Sequence, residues 1–262
     1  MNSESNENQL KWVDNHCHFE EADDISQDLD EAASQGVQKF IVVGTDLETS
    51  RKAQEFAQVF SGKIYATAGV HPHEAIHGVS GIKELLAEST FVAVGECGLD
   101  HYYDHSPPEE QKKVFRQQIT FAHDYDLPLV IHTREAWPET FSILDEMGVP
   151  PKTVFHCFTG GPQEAELALE RGALLSFSGI VTFNNADELR QALKITPLER
   201  IMIETDSPYL TPEPNRGKKN RPKYLPHIGV KIADELGLDL TTLSDITWSN
   251  THKFYNLDLS TD

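Results

Sequence analysis

Val13-Asp14-Asn15-His16-Cys17-His18, just behind a polar and acidic N-terminal segment, reads as a short strand ending in a His-x-His pair. A strand turns alternate side chains to one face, so His16 and His18 point one way and Cys17 the other. Two imidazoles on one face can bind a metal ion side by side. In a chain with 12 histidines such a pair also arises by chance, as a surface or half-buried polar pair. The placing of other ligand-type residues decides between the two.

Outward from this stretch the pattern alternates. Apolar runs bounded by Gly or polar residues predict strands over 11–18, 39–44, 64–70, 91–95, 129–132, 153–156, 174–177 and 201–204. Helical periodicity fills the intervals at 25–35, 48–59, 80–88, 108–125, 135–146, 162–171, 186–194 and 225–236, and a further helix is expected over 241–254. Start and stop signals agree. Pro107-Pro108-Glu109-Glu110 opens one helix with proline and acid in the first turn, and Gly36, Gly148 and Gly172 follow the ends of others. Strict alternation implies a parallel sheet, and eight units in 262 residues imply a closed (β/α)8 TIM barrel. A doubly wound open sheet is the structural alternative, but no GxGxxG turn follows the first strand. With no repeat or linker, the expectation is a polar tail over 1–10 and a single domain over 11–262.

Composition narrows the function. With 42 acidic against 22 basic residues, the formal net charge is −20, which disfavours duplex binding through a broad basic face. A polyanion would have to be met by metal ions or one basic patch. No apolar run approaches a membrane span, and the first residues lack a signal-peptide apolar stretch, so a cytoplasmic location is expected. Three cysteines without CxxC spacing argue against a disulfide framework.

On this map His16 and His18 end strand one, His71 and His73 follow strand three, Glu96 follows strand four, His132 ends strand five, His156 ends strand six and Asp206 follows strand eight. Taken singly, His132 or His156 reads as a hydrogen-bonded structural residue, Glu96 as an ion-pair partner and Asp206 as a turn residue before Ser207-Pro208. All lie at the C-terminal ends of strands, the face on which barrel enzymes build active sites. As a set they predict a metal centre. His73, His77, His101, His105, His123, His227 and His252 are read as surface or supporting residues.

The same stretches resemble the successive signatures of the TatD family of metal-dependent deoxyribonucleases. They are Asp14-Asn15-His16-Cys17-His18, Gly69-Val70-His71-Pro72-His73, Gly95-Glu96-Cys97-Gly98-Leu99-Asp100, Ile131-His132-Thr133-Arg134-Glu135-Ala136, Phe155-His156-Cys157-Phe158-Thr159-Gly160 and Glu204-Thr205-Asp206-Ser207-Pro208-Tyr209-Leu210. Asn215-Arg216-Gly217-Lys218-Lys219-Asn220 is similar to that family's Arg-Gly-Lys loop. The likeness runs from about residue 12 to 257. It implies an amidohydrolase-type barrel, one or two divalent ions held by His16, His18, Glu96, His132, His156 and Asp206, and DNA as substrate, with 3′-5′ exonuclease action on single strands as one reading; the sequence leaves exo- or endonuclease mode, polarity and DNA versus RNA open. Two positions depart from the pattern: Asn15 stands where Thr or Ser is commoner, and Arg221 where Glu is usual.

The chemistry follows from the residue types. Phosphodiester hydrolysis needs a nucleophile at neutral pH and neutralised phosphate charge, and two ions about 3.5–4 Å apart supply both. A carboxylate bridges two ions naturally, which assigns Glu96. His16, His18 and Asp206 would then serve one ion, His132 and His156 the other, and Asp206 would accept the proton of the attacking water. Imidazole ligands suit Zn, Mn, Co or Fe better than Ca, and the resemblance keeps Mg on the list. For the substrate, Arg134 either pairs a phosphate oxygen or forms an ion pair with Glu135 or Glu139. His71 hydrogen-bonds either the phosphate or a ligand carboxylate. Arg216, Lys218, Lys219, Arg221 and Lys223 form a dense basic run after strand eight, either a guide for a nucleic-acid strand or a solvated loop. Cys17 and Cys157, one residue past proposed ligands, are expected to be buried, non-ligating thiols. The rival function is an amidohydrolase or phosphotriesterase acting on a small molecule; the absence of a strand-four Lys for a carbamylated bridge favours Glu96 as the bridge and leaves the substrate open.

Overall fold

Eight strands alternate with helices in the computed structural model, which describes residues 10–20, 22–103 and 105–257. In chain order they run β1 (Trp12–Cys17), α1 (Ile25–Ala33), β2 (Val37–Val43), α2 (Leu47–Val59), β3 (Ile64–Ala68), α3 (Ile82–Leu86), β4 (Phe91–Asp100), α4 (Pro108–Tyr125), β5 (Leu129–Arg134), α5 (Trp137–Met147), β6 (Thr153–Phe155), α6 (Pro162–Glu170), β7 (Leu174–Phe177), α7 (Asp187–Ile195), β8 (Ile201–Ile203), α8 (Leu225–Leu236) and α9 (Leu240–Tyr255). Each strand pairs in parallel with the next, from β1 to β8. Just past β8 the chain turns back onto β1. The Asp206 N–H donates to the His16 carbonyl at 2.9 Å, and the His18 N–H to the Ser207 carbonyl at 2.8 Å. Asp14 adds a side-chain clasp, its carboxylate accepting the Thr205 backbone N–H at 2.8 Å and the Thr205 hydroxyl at 2.5 Å. The expected TIM-barrel architecture is observed.

Period-two alternation divides each strand between two cores. Phe40, Val42, Leu129, Ile131, Phe155, Ile201 and Ile203 face the helices. Val13, Ile41, Val43, Ala93, Val130, Val154 and Met202 face inward and pack together as an apolar floor inside the barrel. Trp248, Phe254 and Tyr255 of α9 join that inner cluster. Asn250 of α9 donates to the Leu198 and Ile201 carbonyls at the start of β8, so the last helix seals the N-terminal end of the cylinder.

Local signals position the helices. Asp24 caps α1 by accepting the Gln27 N–H, and Asp46 with Thr49 forms a capping box at α2. The main departure from expectation is β4, which runs on to Asp100 where the sequence suggested an end at 95. A register shift between Val94 and Cys97 marks a bulge against β5, and Gly95 and Gly98 adopt φ of 137° and 135°. A Cβ at Gly98 would lie 2.0 Å from the His132 carbonyl oxygen, so only glycine lets the two strands approach there. The helix expected over 80–88 is one short turn, Ile82–Leu86.

No helix among the described residues is long and apolar enough to cross a membrane. The polar tail expected over 1–10 lies, except for Leu10, outside the described residues.

Candidate metal centre

One step above the apolar floor the inward positions change chemistry. Val130 is followed by His132, Val154 by His156 and Met202 by Glu204, each two residues further along its strand direction. Glu96 enters from the β4 bulge and His16 from the end of β1. Asp206 comes from the turn after β8, where its own backbone is left-handed at φ 54°. Groups from five strands or strand ends thus meet at one mouth of the barrel.

Glu96 sits at the centre, and its two oxygens face different partners. Oε2 lies 3.3 Å from His16 Nε2 and 3.9 Å from His18 Nε2. Oε1 lies 2.8 Å from His156 Nε2, 3.0 Å from His132 Nδ1 and 3.5 Å from His71 Nε2. Asp206 Oδ1 closes the first side, 4.0 Å from His16 Nε2 and 3.8 Å from His18 Nε2. The His16 and His156 rings stack with centroids 3.9 Å apart. Three sets of ligand-type atoms fall within 4.8 Å of one another: His16, His18 and Asp206; His71, Glu96 and His132; His16, His156 and Glu204.

Hydrogen bonds behind the rings assign their tautomers. His18 Nδ1–H donates to the Val43 carbonyl at 3.2 Å, and His156 Nδ1–H to Glu204 Oε1 at 3.1 Å. Both therefore turn Nε2 into the site, as a lone pair on His18 and, on His156, as a nitrogen whose proton a cation would displace. His132 is turned the other way: its Nε2–H donates to Asp100 Oδ2 at 3.0 Å and leaves Nδ1 facing Glu96. His71 differs in kind. Its Nδ1 accepts the backbone N–H of His73 at 3.1 Å, so the neutral ring carries its proton on Nε2, aimed at Glu96. His71 is thereby a donor to the site rather than a lone pair within it.

Electrostatics separate the rings by charge. Burial lowers the His16 pKa, and takes that of His18 to about 4, keeping both rings neutral. His156 is also buried, but carboxylates on both sides, Glu96 and Glu204, hold its pKa well above the usual value. Burial likewise opposes the Glu96 charge, yet the surrounding imidazoles of His156, His71 and His16 keep its pKa well below the ordinary range. Burial pushes Asp206 up to about 8. A cation bound beside the neutral His16 and His18 rings would displace the Asp206 proton and leave its carboxylate ionised, the state in which it can accept one.

Asp100 and Glu204 were not singled out by sequence, whereas His73, read there as a surface or supporting residue, stands beside Asp100. Asp100 accepts from His132 and lies 3.2 Å from His73 Nε2. Glu204 Oε1 accepts from His156 and from the Cys157 N–H at 2.7 Å. A usable signal existed. Asp100 shares even numbering with Glu96 along β4, and Glu204 is the next inward position after Met202.

The substrate candidates separate. Arg134 forms no ion pair with Glu135 or Glu139. Its guanidinium lies over the Tyr102 ring at 3.9 Å, while Glu139 pairs with Lys112 at 2.5 Å and His101 at 3.2 Å. The basic run after β8 is largely consumed. Lys219 pairs with Glu20 at 2.6 Å and Asp23 at 2.7 Å, Arg221 with Asp28 and with Asp23 at 3.3 Å, and Lys223 with Glu31 at 2.6 Å. Lys219, Arg221 and Lys223, offered by the sequence either as strand guides or as a solvated loop, are thus engaged by carboxylates of this chain. Their charges tie the loop to the segment around α1, because that segment is acidic. Arg216 instead stacks over Phe183 at 3.9 Å, and Lys218 Nζ donates to Asn215 at 3.1 Å.

The cysteines are also redistributed. Cys17 and Cys97 are buried, whereas Cys157 is half-buried on a left-handed backbone with Sγ 3.3 Å from Ser178 Oγ. Lying past the end of β6, Cys157 escapes the strand alternation that predicted its burial.

A family model described as TatD related DNase matches residues 13–256. An uncharacterized metal-dependent hydrolase, YabD, of Bacillus subtilis (strain 168) is 37% identical over 253 residues, covering 94% of this chain and 99% of the relative. A protein of Pectobacterium parmentieri named 3′-5′ ssDNA/RNA exonuclease TatD is 37% identical over 244 residues, covering 89% of this chain and 94% of its own. Among solved structures, the TatD homologue YJJV of Escherichia coli K12 superposes with a TM-score of 0.88 at 27% identity, covering 94% of this chain and 98% of that one.

Proposed function

The chain belongs to the TatD-related DNase family and is a metal-dependent hydrolase; from that premise we propose that it cleaves phosphodiester bonds of single-stranded nucleic acid, removing nucleotides from the 3′ end. The observation that carries this reading is the division of Glu96 between two sets of imidazoles, Oε2 toward His16 and His18 and Oε1 toward His132 and His156. One carboxylate placed so can serve two divalent ions. His16, His18 and Asp206 would hold one, and His132 and His156 the other, with Mn, Zn or Mg as the candidate metals. Such ions supply a water of lowered pKa and neutralise phosphate charge.

The chain's own groups do the rest. Asp206, at the half-buried edge of the site, takes the proton of the attacking water. His71, whose proton sits on Nε2, donates to a phosphate oxygen. Arg134, without a carboxylate partner among the described residues, contributes a fixed positive charge at the rim. Arg216 and Lys218, which likewise form no ion pair among the described residues, meet the strand beyond the scissile bond.

The test is turnover of end-labelled single-stranded DNA and RNA with Mn, Mg or Zn, with and without chelator, beside a panel of small esters and amides. The expected outcome is chelator-sensitive shortening from the 3′ end, blocked by a 3′-terminal phosphorothioate. Hydrolysis of the small-molecule panel without action on oligonucleotides would overturn the reading.

A further inference from the structure

From His71 a continuous run of rings leads out of the centre to the rim. The His71 and His73 rings meet edge to face at 4.3 Å. His73 meets His105 at 4.6 Å and Tyr103 at 5.5 Å, and Tyr103 lies nearly parallel to His105 at 5.5 Å. Tyr102 meets Tyr103 at 4.7 Å, and the Arg134 guanidinium lies 3.9 Å from one ring and 4.9 Å from the other. Tyr102 is 53% and Tyr103 43% exposed, so this end of the wall faces water rather than the core.

The wall is held in place by the centre itself. Asp100 Oδ1 accepts the backbone N–H groups of Tyr102 at 2.9 Å and Tyr103 at 3.1 Å, while Oδ2 of the same carboxylate accepts from His132. One carboxylate therefore fixes both a proposed metal ligand and the exposed tyrosines. Asp100 is also paired with Arg134 in the β4–β5 register, which brings the guanidinium to the same level. Core packing needs no such exposed aromatic pair, and ring faces beside a guanidinium with no carboxylate partner among the described residues match the two halves of a nucleotide.

We propose that Tyr102, Tyr103 and Arg134 form the subsite that seats a nucleotide of the single strand, the tyrosines stacking its base and Arg134 pairing its phosphate. This rests on the nuclease reading and deepens it. The chain carries a net charge of −20, so long-range attraction does not gather a polyanion, and base stacking is what supplies strand affinity. Stacking is indifferent to base identity, so the subsite gives no sequence preference. It also excludes duplex, whose bases are already stacked and paired.

The test is a cycle of enzyme against substrate. KM and kcat are measured for wild type, Tyr102→Ala/Tyr103→Ala and Tyr102→Phe/Tyr103→Phe. The substrates are an oligodeoxynucleotide and the same strand with tetrahydrofuran abasic residues at its 3′-terminal positions. Removing the bases should raise the wild-type KM about 10-fold. The alanine pair should show that raised KM on both strands, and the phenylalanine pair should recover the wild-type discrimination. An unchanged base-to-abasic ratio in the alanine pair, with metal-dependent cleavage intact, overturns the subsite alone. No cleavage of either strand by wild type with any metal overturns the nuclease reading and the subsite together.

Discussion

At the residue scale, Glu96 and Asp100 are two carboxylates of one strand with different duties. Glu96 faces both imidazole sets directly. Glu96→Ala is therefore expected to lose bound metal and turnover together, measured by elemental analysis of the purified protein and by the oligonucleotide assay; full activity in this variant would remove the bridging role. Asp100 acts through His132, by holding its proton on Nε2. In Asp100→Asn an amide cannot accept from His132 on one side and from two backbone N–H groups on the other. The ring then loses its fixed tautomer, and metal affinity measured by calorimetry should fall about 10- to 100-fold while the fold is kept. Unchanged affinity would show that Asp100 serves only the tyrosine turn.

Ion pairs join neighbouring elements at several places, and two of these behave differently. The loop after β8 is clipped to the region of α1 by Lys219, Arg221 and Lys223. Because these cations already have carboxylate partners, Lys219→Ala/Arg221→Ala should lower stability by about 1 kcal/mol and leave the oligonucleotide KM within about 2-fold. Arg216→Ala/Lys218→Ala should raise KM several-fold and flatten its salt dependence; the reverse ranking of the two pairs would return the guide role to Lys219 and Arg221. Between α7 and α8, Glu235 lies 2.8 Å from Lys194 and 2.6 Å from Lys231, and these partners hold its carboxyl down to about 2. The folded value is below the unfolded one. The stabilisation is therefore complete above the ordinary Glu value and is lost as pH falls toward 2. Glu235→Gln should cost less than about 1 kcal/mol at pH 7, since solvent screens the pair, and nothing at pH 2, as read from denaturant midpoints.

Across the whole molecule the centre rests on a scaffold that does not depend on it. The inward floor of Val13, Ile41, Val43, Ala93, Val130, Val154 and Met202 packs below the ligands, and α9 seals the far end. Chelation should therefore leave the far-ultraviolet circular dichroism unchanged. It should still lower the melting temperature, because a cation bound at 100 times its dissociation constant stabilises the native state by about 2.7 kcal/mol, equivalent to about 5–10 °C in a chain of this size. Loss of secondary structure on chelation would mean that the metal, not the floor, organises the barrel.

The amino-acid sequence alone determined the alternation of eight strands with helices, the C-terminal face as the site, and the positions of His16, His18, Glu96, His132, His156 and Asp206 around it. These follow from period-two and 3.6-residue patterns and from what ends each strand, all of which are local. Only the tertiary structure decided that His71 presents a proton, that Asp100 and Glu204 stand behind His132 and His156, and that Lys219 and Arg221 are spent on acids some 190 residues earlier in the chain. A tautomer or an ion pair depends on which groups the closed cylinder brings within hydrogen-bond reach. That is a property of contacts between distant segments, which no local pattern records.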